Sequence, residues 1–449
     1  MITRIEIDGF KSFHNFSVAL RPFQVLIGPN GAGKSNLFDA IVLLSNLADD
    51  NTLYEAFRNS RGEVGELFTI YPDGKRAKTM RFAVEMLIGK TITDTFNVTA
   101  DVSSTRLRYE LTIEGRPEQG FERLYVAHER LDAIIGENDK WFKPNIPAHV
   151  QKSWIRRGRR SAYISTEKGI IHKHQDRRSG RKQETPLGHI ERTVLSTINN
   201  AEYPTAYAVR QEMLSWRFLQ FNPMELRTPS DVYASDELLS DGSNLAAVLY
   251  RMSRNNEFAL IDVSRDMANI VPGILEVLVE ALREREEFLV KARTTDGSVF
   301  SSRILSDGTL RLLALVTLKN DPRHRGVLCF EEPENGVHAL RLQRIVNVLK
   351  SLAADFEVDE DIPKQILINT HSPLLLSHVA ENDLLFVYMP GRQPRETRMA
   401  PVTSQGALPT IEIEDEQERR FTLDEVKRYL DPSSLYDKFQ KLEELEFSL

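Results

Sequence analysis

The chain has 449 residues, 41% of them hydrophobic and 27% charged, with a net charge of −7. That length exceeds one ordinary domain, and the composition supports a sizeable core and argues against global disorder. No apolar run reaches the ~18 residues that a membrane-crossing helix needs, so no membrane contact is expected. Met1-Ile2-Thr3-Arg4 leads into a strand rather than a secretory leader. Cys329 is the single cysteine, so neither a disulfide framework nor a thiolate metal site is expected, and a reducing cytoplasm is the natural location.

The run Phe23-Gln24-Val25-Leu26-Ile27 predicts a short buried strand, and the residues from Ser35 to Leu44 carry apolar positions at helical spacing. Between them, Gly28-Pro29-Asn30-Gly31-Ala32-Gly33-Lys34-Ser35 fits Gly-x-x-x-x-Gly-Lys-Ser at every specified position. Strand, loop, helix is the order that a phosphate-binding loop requires. Glycines let backbone N–H groups turn inward, and a helix N-terminus favours negative charge. A nucleoside triphosphate is therefore expected here, with Lys34 reaching its β- and γ-phosphates and Ser35 ligating Mg²⁺.

Strand-like stretches follow, from Thr79 to Ile88 and from Leu107 to Ile113, and predict an antiparallel β subdomain. From about 135 to 225 the pattern loosens into a basic segment and then a helical stretch around Glu191 to Gln220, which predicts an inserted, mostly helical, partly basic module. Between Lys152 and Lys182 eleven Lys or Arg face only Glu167 and Asp176, so this segment carries +9 and the rest of the chain −16. Trp154 and Tyr163 are interleaved, and His172 and His174 add charge below neutral pH. Such a composition suits nucleic-acid contact with some stacking, and equally a solvated basic face or a partner-docking surface.

Further on, the stretch from Leu238 to Leu249 predicts a helix entry, with Ser243 or Asp241 as cap. After a break at Pro272-Gly273, residues 274–286 fit either a helix or a strand, and a strand pair is expected around Thr295-Asp296-Gly297. No sustained heptads between 130 and 300 announce a long coiled-coil arm. Gly326 to Phe330 forms an apolar strand ending in Glu331-Glu332, an arrangement that delivers carboxylates to the C-terminal edge of a sheet, one to hold Mg²⁺ and the next to orient water. Leu305-Ser306-Asp307-Gly308-Thr309 precedes it. A third strand, from Ile366, ends at Thr370-His371-Ser372, which puts His371 39 residues beyond Glu332. Residues 421–430 read as a terminal helix within an acidic end, where twelve Asp or Glu face six Lys or Arg between Glu412 and Glu446.

Taken together these motifs resemble the ABC-type ATPase superfamily, and within it the SMC/RecF/OLD-like branch rather than transporter subunits. The resemblance rests on the opening Ile5-Glu6-Ile7-Asp8-Gly9-Phe10-Lys11-Ser12-Phe13, on Asn36 after the phosphate loop, on the Ser-Asp-Gly-Thr signature at 306–309 and on Glu-Glu-Pro-Glu-Asn-Gly at 331–336. It implies an α/β fold, an ABC/SMC-head-like P-loop ATPase with a mixed central sheet. Residues 1–134 and 226–449 would be the two halves of the head, and 135–225 the insertion. The resemblance further implies ATP and Mg²⁺ as ligands, with Gly28 to Asn36 around the phosphates. Glu331 would assist Mg²⁺, Glu332 would polarise the attacking water and His371 would contact the γ-phosphate. Ser306 and Gly308 would close over ATP bound to a second copy, and Glu334-Asn335-Gly336 would couple the two sites of that homodimer. Two departures are visible: Asp307 stands where transporters carry glycine, and Ala339 replaces a proline. No Q-loop glutamine is assigned. The 78 residues after His371 are too few for a Toprim nuclease domain, so a separate effector protein is the expected partner. Compact relatives of this kind serve in anti-phage defence; DNA maintenance of the RecF type, an ATP-locked scaffold and a transporter subunit are the alternatives.

Overall fold

Alternation of apolar and charged residues builds the largest sheet. In chain order its part of the molecule holds β1 (Ile2–Asp8), β2 (Phe16–Ala19), β3 (Phe23–Ile27), helix α1 (Lys34–Ala48), β4 (Thr79–Leu87), β5 (Arg106–Glu118), β6 (Phe121–Ala133), β7 (Ile164–Glu167), β8 (Ile170–His174), β9 (Lys182–Pro186) and helix α2 (Pro204–Leu214). All these strands except β3 form one antiparallel sheet of eight, ordered β9-β8-β7-β6-β5-β4-β1-β2. Met80, Phe82, Val84, Met86, Leu107, Tyr109, Leu111 and Ile113 point to one face and are buried, each worth roughly 2 kcal/mol. The opposite face carries cross-strand ion pairs such as Arg108 Nη2 with Glu6 Oε2 at 2.7 Å.

The computed structural model describes residues 1–58, 60–71, 73–158, 161–176, 182–358, 363–390, 396–403 and 420–430. Contacts divide the chain into two units, Met1–Trp216 with Ala354–Gln365 and Glu381–Leu449, and Arg217–Ala353 with Ile366–Ala380. The fold is mixed α/β, as expected.

The segment expected to be mostly helical departs from that reading. Its basic stretch forms β7, β8 and β9, which extend the sheet, and its one long helix is α2. The cause is a two-residue hairpin: Lys168 and Gly169 both take positive φ, 49° and 77°, the twist-compatible turn that sets Glu167 opposite Ile170. Gln119-Gly120 makes the same turn between β5 and β6, at φ 51° and 85°.

In the second unit lie β10 (Arg217–Leu219), α3 (Leu245–Asn255), α4 (Ala259–Ile270), β11 (Ile274–Leu282), β12 (Glu287–Thr294), β13 (Val299–Ser301), α5 (Asp307–Asn320), β14 (Gly326–Glu331) and the Ile366–Thr370 part of β15 (Lys364–Thr370). Strand β14 lies between β10 and β15, and β10 runs parallel to it. Residues 274–282 are a strand rather than a helix, paired with β12, and β13 follows around Gly297 at φ 86°. Neither Ser243 nor Asp241 caps α3. Asn244 stands at the N-cap, and its buried amide is spent on the preceding loop, accepting from Leu239 N and donating to the Ser235 and Glu237 carbonyls. The longest helix among the described residues, α1, has 15 residues, so no long arm is present among them.

The chain returns to the first unit with β16 (Leu384–Tyr388), β17 (Arg398–Pro401) and α6 (Leu423–Leu430). β16 is parallel to β3 and antiparallel to β17. Among the described residues no helix is long and apolar enough to cross a membrane.

Candidate functional site

In the first unit, β3 is buried along its whole length and runs straight into the Gly28–Ser35 loop. Gly28 has no room for a side chain, because a Cβ there would lie 2.1 Å from the Val387 carbonyl oxygen. Gly31 and Gly33 have φ of 80° and 91°, the left-handed region that glycine enters without strain. Helix α1 begins at Gly33 with no side-chain cap and no acid in its first turn, so the positive end of its dipole meets no carboxylate of its own first turn. Lys34 is buried, and its Nζ donates to the carbonyls of Gly28 at 2.7 Å and Pro29 at 3.0 Å.

A network of neutral groups holds the loop from behind. Asn36 Nδ2 donates to Ser12 Oγ at 2.7 Å, Ser12 Oγ lies 2.6 Å from Thr397 Oγ1, and Thr397 Oγ1 donates to the Ala32 carbonyl at 3.0 Å. Thr397 is fully buried, and its hydroxyl fills the space that a Cβ on Gly33 would take. Lys11, on the same opening loop as Ser12, pairs with Asp39 of α1 at 2.6 Å.

The second unit gathers the acidic motif and His371. β14 delivers Glu331 and Glu332 to its C-terminal end, where Glu332 takes a left-handed conformation with φ 47°. A non-glycine residue there costs of order 1 kcal/mol, and persists only when its surroundings hold it. Glu332 N donates to Asn369 O at 2.8 Å; His371 Nδ1 lies 2.5 Å from Glu332 Oε1, and Asn335 Nδ2 donates to Oε2 at 2.6 Å. Both oxygens of the half-exposed carboxylate are thereby oriented. Glu331 Oε1 receives Asn369 Nδ2 at 3.4 Å. Glu334 is buried and accepts from the Thr370 hydroxyl; burial first, and the Glu332 charge with it, raises its carboxyl above the ordinary range.

The signature helix α5 packs against the same loop. Ser306 caps it, its Oγ accepting from Thr309 N at 3.3 Å, while Arg227 grips Asp307 and donates to the Leu305 carbonyl at 2.7 Å. Gly308 is required by closeness, since a Cβ there would stand 2.7 Å from Gly336 O. Ser306, Gly308, Glu331, Glu332 and His371 are thus joined through one set of contacts within the second unit, and Gly28 to Asn36 through another within the first.

A family model described as "AAA domain, putative AbiEii toxin, Type IV TA system" matches residues 23–377. The chain belongs to this AAA family. It is also 37% identical over 151 residues to the chromosome partition protein Smc of Methanocaldococcus jannaschii, a match that covers 30% of this chain and 12% of that protein. The chain therefore spans only a small part of that curated relative. Solved structures that resemble it include an Smc head bound to the C-winged helix domain of ScpA, at 14% identity and TM-score 0.47 over 89% of this chain and 96% of that one. Another is the SMC head domain from Thermotoga maritima, at 12% identity and TM-score 0.39 over 90% and 99%.

This AAA-family chain also holds residues that sequence reasoning missed. Gln220 follows β10, whose Leu219 pairs with Phe330, so it stands level with Glu331 at the same sheet edge and is exposed. The helix start at Asn222-Pro223, just after a short apolar run, was the available signal. Thr397 had none, being 385 residues from the Ser12 that it contacts. The basic segment is corrected in part. Trp154 and Tyr163 are 2% and 0% exposed, with Trp154 Nε1 donating to Phe356 O and Tyr163 OH bonded to Ser104 Oγ, so neither ring can stack on a base. Arg156 is spent on Asp101 and the Lys90 carbonyl, and His172 is buried. Arg159, Arg160, Arg177, Arg178 and Arg181 lie outside the described residues.

Proposed function

We propose that the chain is an ATP-hydrolysing switch that dimerises around ATP. What carries this reading is Glu332, fixed at both carboxylate oxygens by His371 and Asn335, in a chain that also holds a complete phosphate loop. The residues fit ATP with Mg²⁺: α1 opens without a cap, Gly28 and Gly33 keep side chains away from the loop, and Lys34 supplies a cation. Ser35 and Glu331 offer the hard oxygen ligands that Mg²⁺ takes. ATP brings the cleavable γ-phosphoryl bond, and Mg²⁺ the neutralisation of charge developing on it. Glu332 orients the attacking water and receives its proton, His371 contacts the γ-phosphate, and Ser306 with Gly308 closes over the triphosphate of a second copy.

Exposed apolar side chains support self-association. Ile304, Leu340 and Leu374 are 68%, 85% and 60% exposed and stand within a few residues of Ser306, Gly336 and His371 respectively. A second copy would cover these side chains if they lie on the face that meets it. We place this switch in the cytoplasm, in bacterial anti-phage defence beside a separate effector; the family description names a type IV toxin–antitoxin system, which accords with a partner protein. The Smc relative, a chromosome partition protein, favours DNA maintenance as the second reading.

The test is steady-state ATP hydrolysis across protein concentration, with and without double-stranded DNA, using Lys34→Ala as the blank. Turnover per chain is expected to rise with concentration, and Glu332→Gln to bind ATP, stall and run at dimer mass. A flat profile with a monomeric mass removes the dimer, and normal turnover in Glu332→Gln moves the catalytic role elsewhere. Strong stimulation by DNA would decide for the second reading.

A further inference from the structure

Arg311 stands on α5, a little under one turn beyond Gly308 and on the same side of the helix. Its Nη1 donates to the Asn335 carbonyl at 2.7 Å. Asn335 in turn donates Nδ2 to Glu332 Oε2 at 2.6 Å, and the other oxygen of Glu332 is held by His371. Gly308 meets the next residue of the same loop, with Gly336 O lying where a Cβ would need to be. Helix α5 therefore touches the 334–336 loop at two points, and the loop touches the carboxylate that would orient water.

Arg311 is an expensive way to brace a loop. Its guanidinium is half-buried, burial lowers its pKa, and Nε is buried with no hydrogen-bond partner. A half-buried charge bonded to a neutral carbonyl, with another donor unfilled and only the nearby Asp307 charge in its favour, gains little stability from the arrangement. A methionine or leucine would pack the same space without the half-buried charge, so stability alone does not account for the arginine.

We infer that Arg311 is a positioning residue for hydrolysis, tying the signature helix to Glu332 through Asn335. A displacement of α5, where Ser306 and Gly308 sit, then reaches the carboxylate of the same chain through two hydrogen bonds. This inference rests on the hydrolysis reading of Glu332 given above.

The test uses the full chain and measures kcat, KM, ATP binding and Tm for the wild type, Arg311→Met, Arg311→Lys, Asn335→Ala and the Arg311→Met/Asn335→Ala double variant. In Arg311→Met, kcat is expected to fall about 10- to 100-fold, the range that small misplacements of reacting groups produce, with KM and Tm near wild type. Arg311→Lys should recover part of the loss, because an ammonium can reach one carbonyl but lacks the planar fork. The double variant should be no worse than the poorer single one, since both break one relay. The inference is overturned if kcat of Arg311→Met stays within about twofold of wild type, if the two losses multiply, or if Tm falls in step with kcat. A wild type that does not hydrolyse ATP removes the hydrolysis reading and this inference together, whereas an active wild type with an unimpaired Arg311→Met removes the relay alone.

Discussion

Two helices open at the two motif clusters, one in each unit, and they open differently. Helix α1 starts at a glycine with no side-chain cap and no acid in its first turn, whereas α5 starts at Ser306, which caps it, and carries Asp307 in the grip of Arg227. The first N-terminus carries no negative group of its own, whereas the second carries a cap and an acid before Ser306 and Gly308 meet the triphosphate of a second copy. Their surroundings follow the same division. Behind the phosphate loop stand neutral groups, Asn36, Ser12 and Thr397, packed without space for one more carbon at Gly33. Around the 331–336 loop stand ionisable groups, Glu332 in a strained conformation, Glu334 buried and Arg311 desolvated. Rigid neutral packing suits a part that must hold a ligand, and poised charges suit a part that must respond to one. The first half should set affinity, and the second should set rate.

The largest effects should come from the first half and appear as lost binding. Lys34→Ala removes the loop's cation, and ATP affinity is expected to fall at least about 100-fold in equilibrium titration with a fluorescent analogue. Gly33→Ala should do comparable damage, because it combines a φ of 91° with a Cβ placed 1.9 Å from Thr397 Oγ1. Binding retained in either variant would break the division at its stronger end. Glu332→Gln comes next, with kcat down about 10²- to 10³-fold, as for loss of a general base, and affinity unchanged. A matching loss of affinity would show that the second half also holds ligand.

Smaller effects sharpen the comparison. Gly308→Ala forces α5 away from Gly336 O and should lower kcat about tenfold while leaving ATP titrations intact. Thr397→Val deletes one buried hydroxyl that bonds both Ala32 O and Ser12, a loss of about 1–2 kcal/mol that should weaken ATP binding by no more than about tenfold. Thr397→Ser should be close to wild type. An effect of Thr397→Val on kcat alone would reverse the assignment of the two halves.

What the sequence made legible was short-range. The bounds of β3, the start of α1 and the end of β14 follow from five- to fifteen-residue patterns, since apolar runs and glycine spacing act locally. The mixed α/β class was legible for the same reason. Long-range contacts were not: nothing near Thr397 signals that it fills the space beside Gly33, and nothing near Arg311 signals the Asn335 carbonyl. Charge density misled in the basic stretch, because it counts residues without saying which side of a strand they occupy. Trp154 and Tyr163 are buried while Lys152, Lys168 and Lys182 are exposed, and the Lys168-Gly169 turn, a hairpin signal, outweighed the helical expectation.

Buried acids mark the last difference between the halves. Glu334 sits beside the site, whereas Glu129, in the first unit, is fully buried on β6 away from the phosphate loop contacts and accepts from the N–H groups of Val194 and Leu195 at 2.6 and 2.8 Å. Burial pushes the Glu129 carboxyl from its ordinary 4.5 up to about 7, against the pull of those amides. Because the folded value lies above the unfolded one, the native state holds the extra proton. The contribution to stability is full below about pH 4.5 and declines as the pH rises, gone once it has passed about 7. A Glu129→Gln variant cannot titrate, so its Tm should change less than that of the wild type between pH 5 and pH 8, with the two curves offset by the one amide bond lost. The difference corresponds to at most about 3 kcal/mol. Turnover at a fixed pH should not change, since Glu129 touches neither phosphate loop nor acidic motif. Parallel Tm curves would mean that the two amides keep the carboxylate charged throughout; a shift in turnover would mean that β6 communicates with ATP hydrolysis after all.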